Sequence, residues 1–181
     1  MTDRRTLAET ELAMSHHIGR LALDFPAANA VSSLYRAANA VRNHLTSTVL
    51  REHDLTWTGF VVLWVVWIWD GMETRYAAQS AGVSKATLTG VVRTLESRGL
   101  ITRESDTRDR RLVHLRLTAA GAALMTKLYP AFNAVESEVI SVLNKREVAA
   151  MTRSLRTLVT TVEERTVVER TPEERTPERG A

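Results

Sequence analysis

The residues able to do chemistry crowd into one stretch. Ser84, Lys85, Thr87, Thr89 and Arg93 fall within S-K-A-T-L-T-G-V-V-R, and Arg108 and Arg110 follow in D-T-R-D-R-R. Short hydroxyls and cations of this kind bond phosphate oxygens and base edges. The pattern lacks what catalysis needs. No histidine neighbours the hydroxyls in sequence, and no phosphate loop or metal-ligand spacing occurs. His16-His17 comes nearest to a ligand pair, but adjacent helix residues point about 100° apart, so one ion cannot easily use both. The chain is therefore expected not to be an enzyme, with no catalytic residue, metal or cofactor.

The elements that must position those residues follow from the flanking pattern. Met72-Glu73 reads as a very short strand, with Thr74 capping a short helix over Arg75–Ala81. Gly82 supplies a left-handed end, Val83 packs inward, and Ser84 caps the next helix. In that helix Leu88, Val91, Val92 and Leu95 form the buried stripe. Lys85, Thr87, Thr89, Gly90, Arg93 and Glu96 face out, and Gly99 ends it. Leu100–Glu104 and Leu112–Leu117 alternate as half-buried strands do, joined by a polar hairpin. Helix, turn, helix and hairpin make a winged helix-turn-helix, which places the second helix in a major groove and the hairpin beside it. An arginine at the hairpin tip suits a narrow minor groove.

Charge follows the same map. The chain carries a net +3, yet nine cations against five anions between Met72 and Leu117 leave an excess of four there. That concentration is the footprint of a duplex-binding surface. The 181 residues include no cysteine, which excludes disulfides, thiolate metal sites and cysteine redox sensing. The most apolar run, Phe60–Trp69, is shorter than the roughly 20 residues a spanning helix needs. With a polar N-terminus lacking a secretory pattern, a cytoplasmic protein without membrane contact is expected.

Around the reader, Asp3–Leu23 reads as a helix ended by Phe25-Pro26, and Ala28–Glu52 as a second. Trp57–Trp69, capped by Thr56, is apolar almost all round and holds four tryptophans. It is a core helix, some of whose rings can line an aromatic ligand pocket; His44, Phe60 and Trp64 are the candidate ligand contacts. Thr118 caps a long helix over 119–144, with a kink expected near Tyr129 because of Pro130. A last helix spans 146–164. The tail repeats E-R-T-P-E and is too polar to fold alone.

Three segments together resemble the MarR family of bacterial transcriptional regulators: L-T-W-T-G-F-V-V-L (55–63), G-V-S-K-A-T-L-T-G-V-V-R-T-L-E-S-R-G-L-I (82–101) and D-T-R-D-R-R-L-V-H-L-R-L-T-A-A-G (106–121). The resemblance covers about 28–165. It implies a homodimer, with helices from both chain ends interlocking and two winged lobes on a palindromic operator. It implies that Asp109 and Arg111 pair to brace the wing, leaving Arg108 and Arg110 for groove and backbone. It also implies release from DNA by a small aromatic or phenolic effector held between lobe and dimer helices.

The expected fold is mainly α with a small β wing: a winged helix-turn-helix domain plus a helical dimerisation domain. Its parts are an N-terminal helical extension (1–27), a dimerisation region (28–53 and 119–165), the DNA-binding domain (54–118) and a disordered tail (166–181). The expected function is a sequence-specific DNA-binding repressor, acting as a homodimer on double-stranded DNA. The alternative is a winged-helix module that binds protein; acidic residues on the second helix would favour it, and only Glu96 is acidic there.

Overall fold

Helices form where the apolar stripes and caps place them. The computed structural model describes residues 6–19, 21–106 and 112–169. In chain order these are α1 (Leu7–Ile18), α2 (Phe25–Thr48), a 3-10 turn (Leu50–His53), α3 (Trp57–Ile68), β1 (Met72–Glu73), α4 (Thr74–Ser80), α5 (Lys85–Ser97), β2 (Ile101–Ser105), β3 (Val113–Leu117), α6 (Ala119–Ile140) and α7 (Lys145–Glu169). The chain divides into two units after Val135, within α6.

In the first unit α3 is the central beam. Val62, Leu63, Val65 and Val66 are buried, alongside Leu45, Leu50, Leu95, Ile101, Leu115, Met125 and Leu128. Phe60 stacks on Phe132 of α6 with ring centroids 4.2 Å apart, and Trp67 meets Tyr129 edge-on at 5.7 Å. The four tryptophans diverge. Trp57, Trp64 and Trp67 pack partly against the core, while Trp69 remains exposed.

The three strands pair antiparallel in the order β1-β3-β2. Ile101 pairs with Leu117 and Arg103 with Leu115, so these side chains share the face that carries the buried Ile101 and Leu115. Thr102, Glu104, His114 and Arg116 share the other face. L-T-A-A-G (117–121) then locks α6 onto the sheet. Thr118 Oγ1 donates to the Gly99 carbonyl (2.6 Å) and accepts from Gly121 N–H (3.0 Å). A side chain at position 121 would strike the Leu100 carbonyl, so only glycine admits that approach.

Several boundaries differ from the sequence expectations. Phe25 and Pro26 open α2, capped by Asp24 Oδ1 accepting from Ala27 N–H at 3.0 Å; proline in a first turn loses no bond. α2 stops at Thr48 and gives way to the 3-10 turn. Glu73, not Thr74, takes the N-cap position of α4, and it makes no side-chain cap bond. α6 contains Pro130 and ends at Ile140, short of the expected 144.

In the second unit Asn144 caps α7, its Oδ1 accepting from Arg146 and Glu147 N–H while Glu147 Oε2 accepts from Asn144 N–H. This reciprocal cap starts a helix that runs to Glu169, beyond the expected end at 164. Thr166 Oγ1, in the first copy of the repeat, bonds the Val162 carbonyl at 2.8 Å as part of that helix. The remaining tail lies outside the described residues.

Candidate nucleic-acid interface

The turn between α4 and α5 is built by local chemistry. Ala81 ends α4, Gly82 takes φ +64°, and Val83 N–H donates to the Ala78 carbonyl at 3.0 Å. That reversal aims the N-terminus of α5 outward. Ser84 Oγ accepts from Thr87 N–H (3.1 Å) and lies 2.8 Å from Thr87 Oγ1. One hydroxyl of this pair donates to the other, so one O–H proton stays free for an outside acceptor. The helix terminus adds partial positive charge at the same place.

Leu88, Val92 and Leu95 of α5 are buried, and Val91 is half-buried. Ser84, Lys85, Thr87, Thr89 and Arg93 are exposed. Lys85, Thr89 and Arg93 recur every four residues and so form one strip along the helix. Thr89 Oγ1 donates its proton to the Lys85 carbonyl at 2.9 Å, which leaves it as an acceptor.

The cations of the segment divide by what holds them. Arg75 pairs with Glu73 at 2.6 Å and lies 4.6 Å over the Tyr76 ring. Arg98 donates to the carbonyls of Asp54 (2.6 Å) and His53 (2.8 Å). Arg103 pairs with Glu96 of α5 at 3.2 Å, joining α5 to β2. Arg116 pairs with Glu104 at 2.9 Å. Lys85 and Arg93 have no ion-pair partner among the described residues. The strip thus keeps two uncompensated charges on its outward side. Sequence spacing did not separate free cations from tied ones: the bonds of Arg98 and Arg116 span dozens of positions.

Arg108, Arg110, Asp109 and Arg111, predicted as wing contacts and wing brace, lie outside the described residues. The hairpin is described up to its root, where Asp106 N–H donates to the Leu112 carbonyl at 2.9 Å. The predicted ligand contacts do not form one exposed set. Phe60 is buried against Phe132, Trp64 is half-buried, and His44 is exposed on α2. No cluster of three or more metal-ligating side chains occurs among the described residues.

A helix-turn-helix followed by a two-stranded hairpin, with the second helix exposed and polar, defines a winged helix-turn-helix protein. A profile of the MarR family matches residues 55–113. An uncharacterized HTH-type transcriptional regulator of Bacillus subtilis, YwaE, is 37% identical over 134 residues, covering 74% of this chain and 78% of YwaE. Among solved structures, a mutant of E. coli MarR complexed with operator DNA has the same fold, with TM-score 0.66 and 22% identity over 70% of this chain and 91% of that one. Bordetella bronchiseptica BpsR, whose DNA binding is regulated by 6-hydroxynicotinic acid, has TM-score 0.65 and 26% identity over 71% of this chain and 91% of BpsR. The chain belongs to the MarR family of DNA-binding transcriptional regulators.

Proposed function

We propose that this regulator binds a palindromic operator as a homodimer and acts as a repressor, by binding and not by catalysis. The observation that carries the proposal is the strip on α5: Lys85 and Arg93 stand without ion-pair partners among the described residues, beside the Ser84–Thr87 hydroxyl pair, while the other described cations of the segment are tied. Ser84, Lys85, Thr87, Thr89 and Arg93 then serve the major groove and its phosphates. Arg108 and Arg110 serve the wing, with Asp109 and Arg111 as its brace. Residues 54–118 form the DNA-binding part, and helices from 28–53 and 119–165 the dimer part.

Exposed apolar side chains support the dimer. Val31 and Tyr35 of α2 are 55% and 69% exposed, and Leu158 and Val162 of α7 are 52% and 62% exposed. Stripes of this kind on separate helices call for a partner surface. An aromatic acid is proposed as effector, since DNA binding by BpsR responds to one. It would meet the half-exposed face of Trp64, with Phe60 backing it and His44 at the rim. The test is a gel shift with the intergenic DNA upstream of its own gene. Retardation that weakens steeply with added salt is expected, because several phosphates are neutralised. Absence of binding at low salt, there and at every other genomic site, would remove the proposal.

A further inference from the structure

The outer face of the wing hairpin carries two side-chain contacts that lean the same way. In the strand register Arg116 stands opposite Thr102 and His114 opposite Glu104. Neither pairs straight across. Arg116 Nε reaches Glu104 Oε2 at 2.9 Å, and His114 Nε2 reaches Asp106 Oδ2 at 3.4 Å. Each contact runs diagonally from β3 to the residue two positions nearer the tip on the facing side, Glu104 in β2 and Asp106 just past its end. Diagonal neighbours lie within reach of long side chains in a twisted antiparallel pair, and two parallel diagonals resist the same shearing motion.

Arg116 does more than join two strands. Its Nη1 donates to the Asp70 carbonyl at 3.0 Å. Asp70 and Gly71 form the turn between α3 and β1, with φ of +48° and +103°. The turn is shaped around the guanidinium: a Cβ at position 71 would lie 3.1 to 3.3 Å from Arg116 Cγ, Nη1 and Cζ. Glycine at 71 is favoured by its backbone angle, and a Cβ there would press the Arg116 side chain aside by a few tenths of an ångström. Since β3 lies between β1 and β2, one planar group links β2 to the turn that leads into β1.

We infer that Arg116 is a positioning residue for the wing, its guanidinium tying the hairpin to the end of α3 so that the tip meets the duplex at a fixed angle. The inference rests on the proposed role of the wing in DNA binding. Arg116 and Glu104 side chains are 48% and 55% exposed, and exposed pairs add little to global stability. The contribution is geometric. A fork with several donors in one plane makes both bonds at once, which a lysine ammonium on a flexible stem does not reproduce.

The charge-conserving variant Arg116→Lys separates positioning from direct phosphate contact. The probe is a duplex selected from a randomised pool by the wild-type protein. Arg116→Lys is expected to weaken binding at least about fivefold, the lower edge of a lost specific contact, with little change in melting temperature. Amide hydrogen exchange across β2 and β3 should quicken in the DNA-free protein. Combining Arg116→Lys with Arg108→Ala and Arg110→Ala should cost less than the separate losses multiplied, because a displaced wing has already lost its contacts. Wild-type affinity in Arg116→Lys with loss only in Arg116→Gln would mark a simple phosphate charge and overturn the inference. Unchanged exchange in β2 and β3 would overturn it without reference to DNA. If Arg108→Ala and Arg110→Ala leave affinity intact, the wing reading itself fails, and that result is distinct from the other two.

Discussion

At the scale of single residues, what matters is which cations remain available. Six described cations lie between Met72 and Leu117, and four of them are held by carboxylates or carbonyls within the chain. A cation already paired gives up that pairing to reach a phosphate, whereas Lys85 and Arg93 have no ion pair among the described residues to give up. Lys85→Ala and Arg93→Ala should each weaken DNA binding and each lower the slope of log affinity against log salt by about 1. Arg98→Ala should instead act on folding, because its donors satisfy the carbonyls of His53 and Asp54. Titrations at several salt concentrations, set beside urea unfolding, check both outcomes. Residue types alone revealed the Ser84 cap, since a serine before an amphipathic run has one common use. They did not reveal the partners of Arg98, which come from 44 and 45 positions away, and no local pattern encodes that distance.

At the scale of elements, caps and close approaches decide where each helix sits. Gly121→Ala should destabilise the protein by about 1–3 kcal/mol, the range for overpacking, because its Cβ meets the backbone carbonyl of Leu100 and not a side chain that can turn aside. Denaturant unfolding measures this. The α1 cap responds to pH. Thr6 N–H and Oγ1 both donate to Glu9 Oε2, at 2.6 and 2.9 Å, and these bonds hold the Glu9 carboxyl below its ordinary range. A lowered folded-state pKa means the cap is intact above the ordinary carboxylate range and is lost as pH falls through the lowered value. NMR shifts of α1 should report that fraying in acid, and Glu9→Gln should flatten the response. The helix-turn-helix was legible because stripe, glycine and cap agree with one another there. The start of α2 was not: Pro26 reads equally well as the stop of one helix or the first turn of the next. The end of α7 was missed because charged, apolar-poor sequence resembles a disordered tail, yet the helix already formed by Asn144 and its stripe carries on into it.

At the scale of the whole molecule, a single copy leaves too much apolar surface in water. Leu12 of α1, Tyr35 of α2 and Val142 before α7 are 64%, 69% and 84% exposed. The proposed second copy would cover such stripes and set the spacing of two readers at once. Since half-sites lie one helical turn apart, roughly 34–36 Å, any effector that changes that spacing changes affinity. No helix among the described residues is long and apolar enough to cross a membrane. The most direct test is footprinting on a selected duplex, with complex stoichiometry measured by light scattering. The account predicts two protected half-sites related by inverted symmetry, one helical turn apart, occupied by two chains. Protection of a single half-site by one chain, or uniform protection without symmetry, would contradict it.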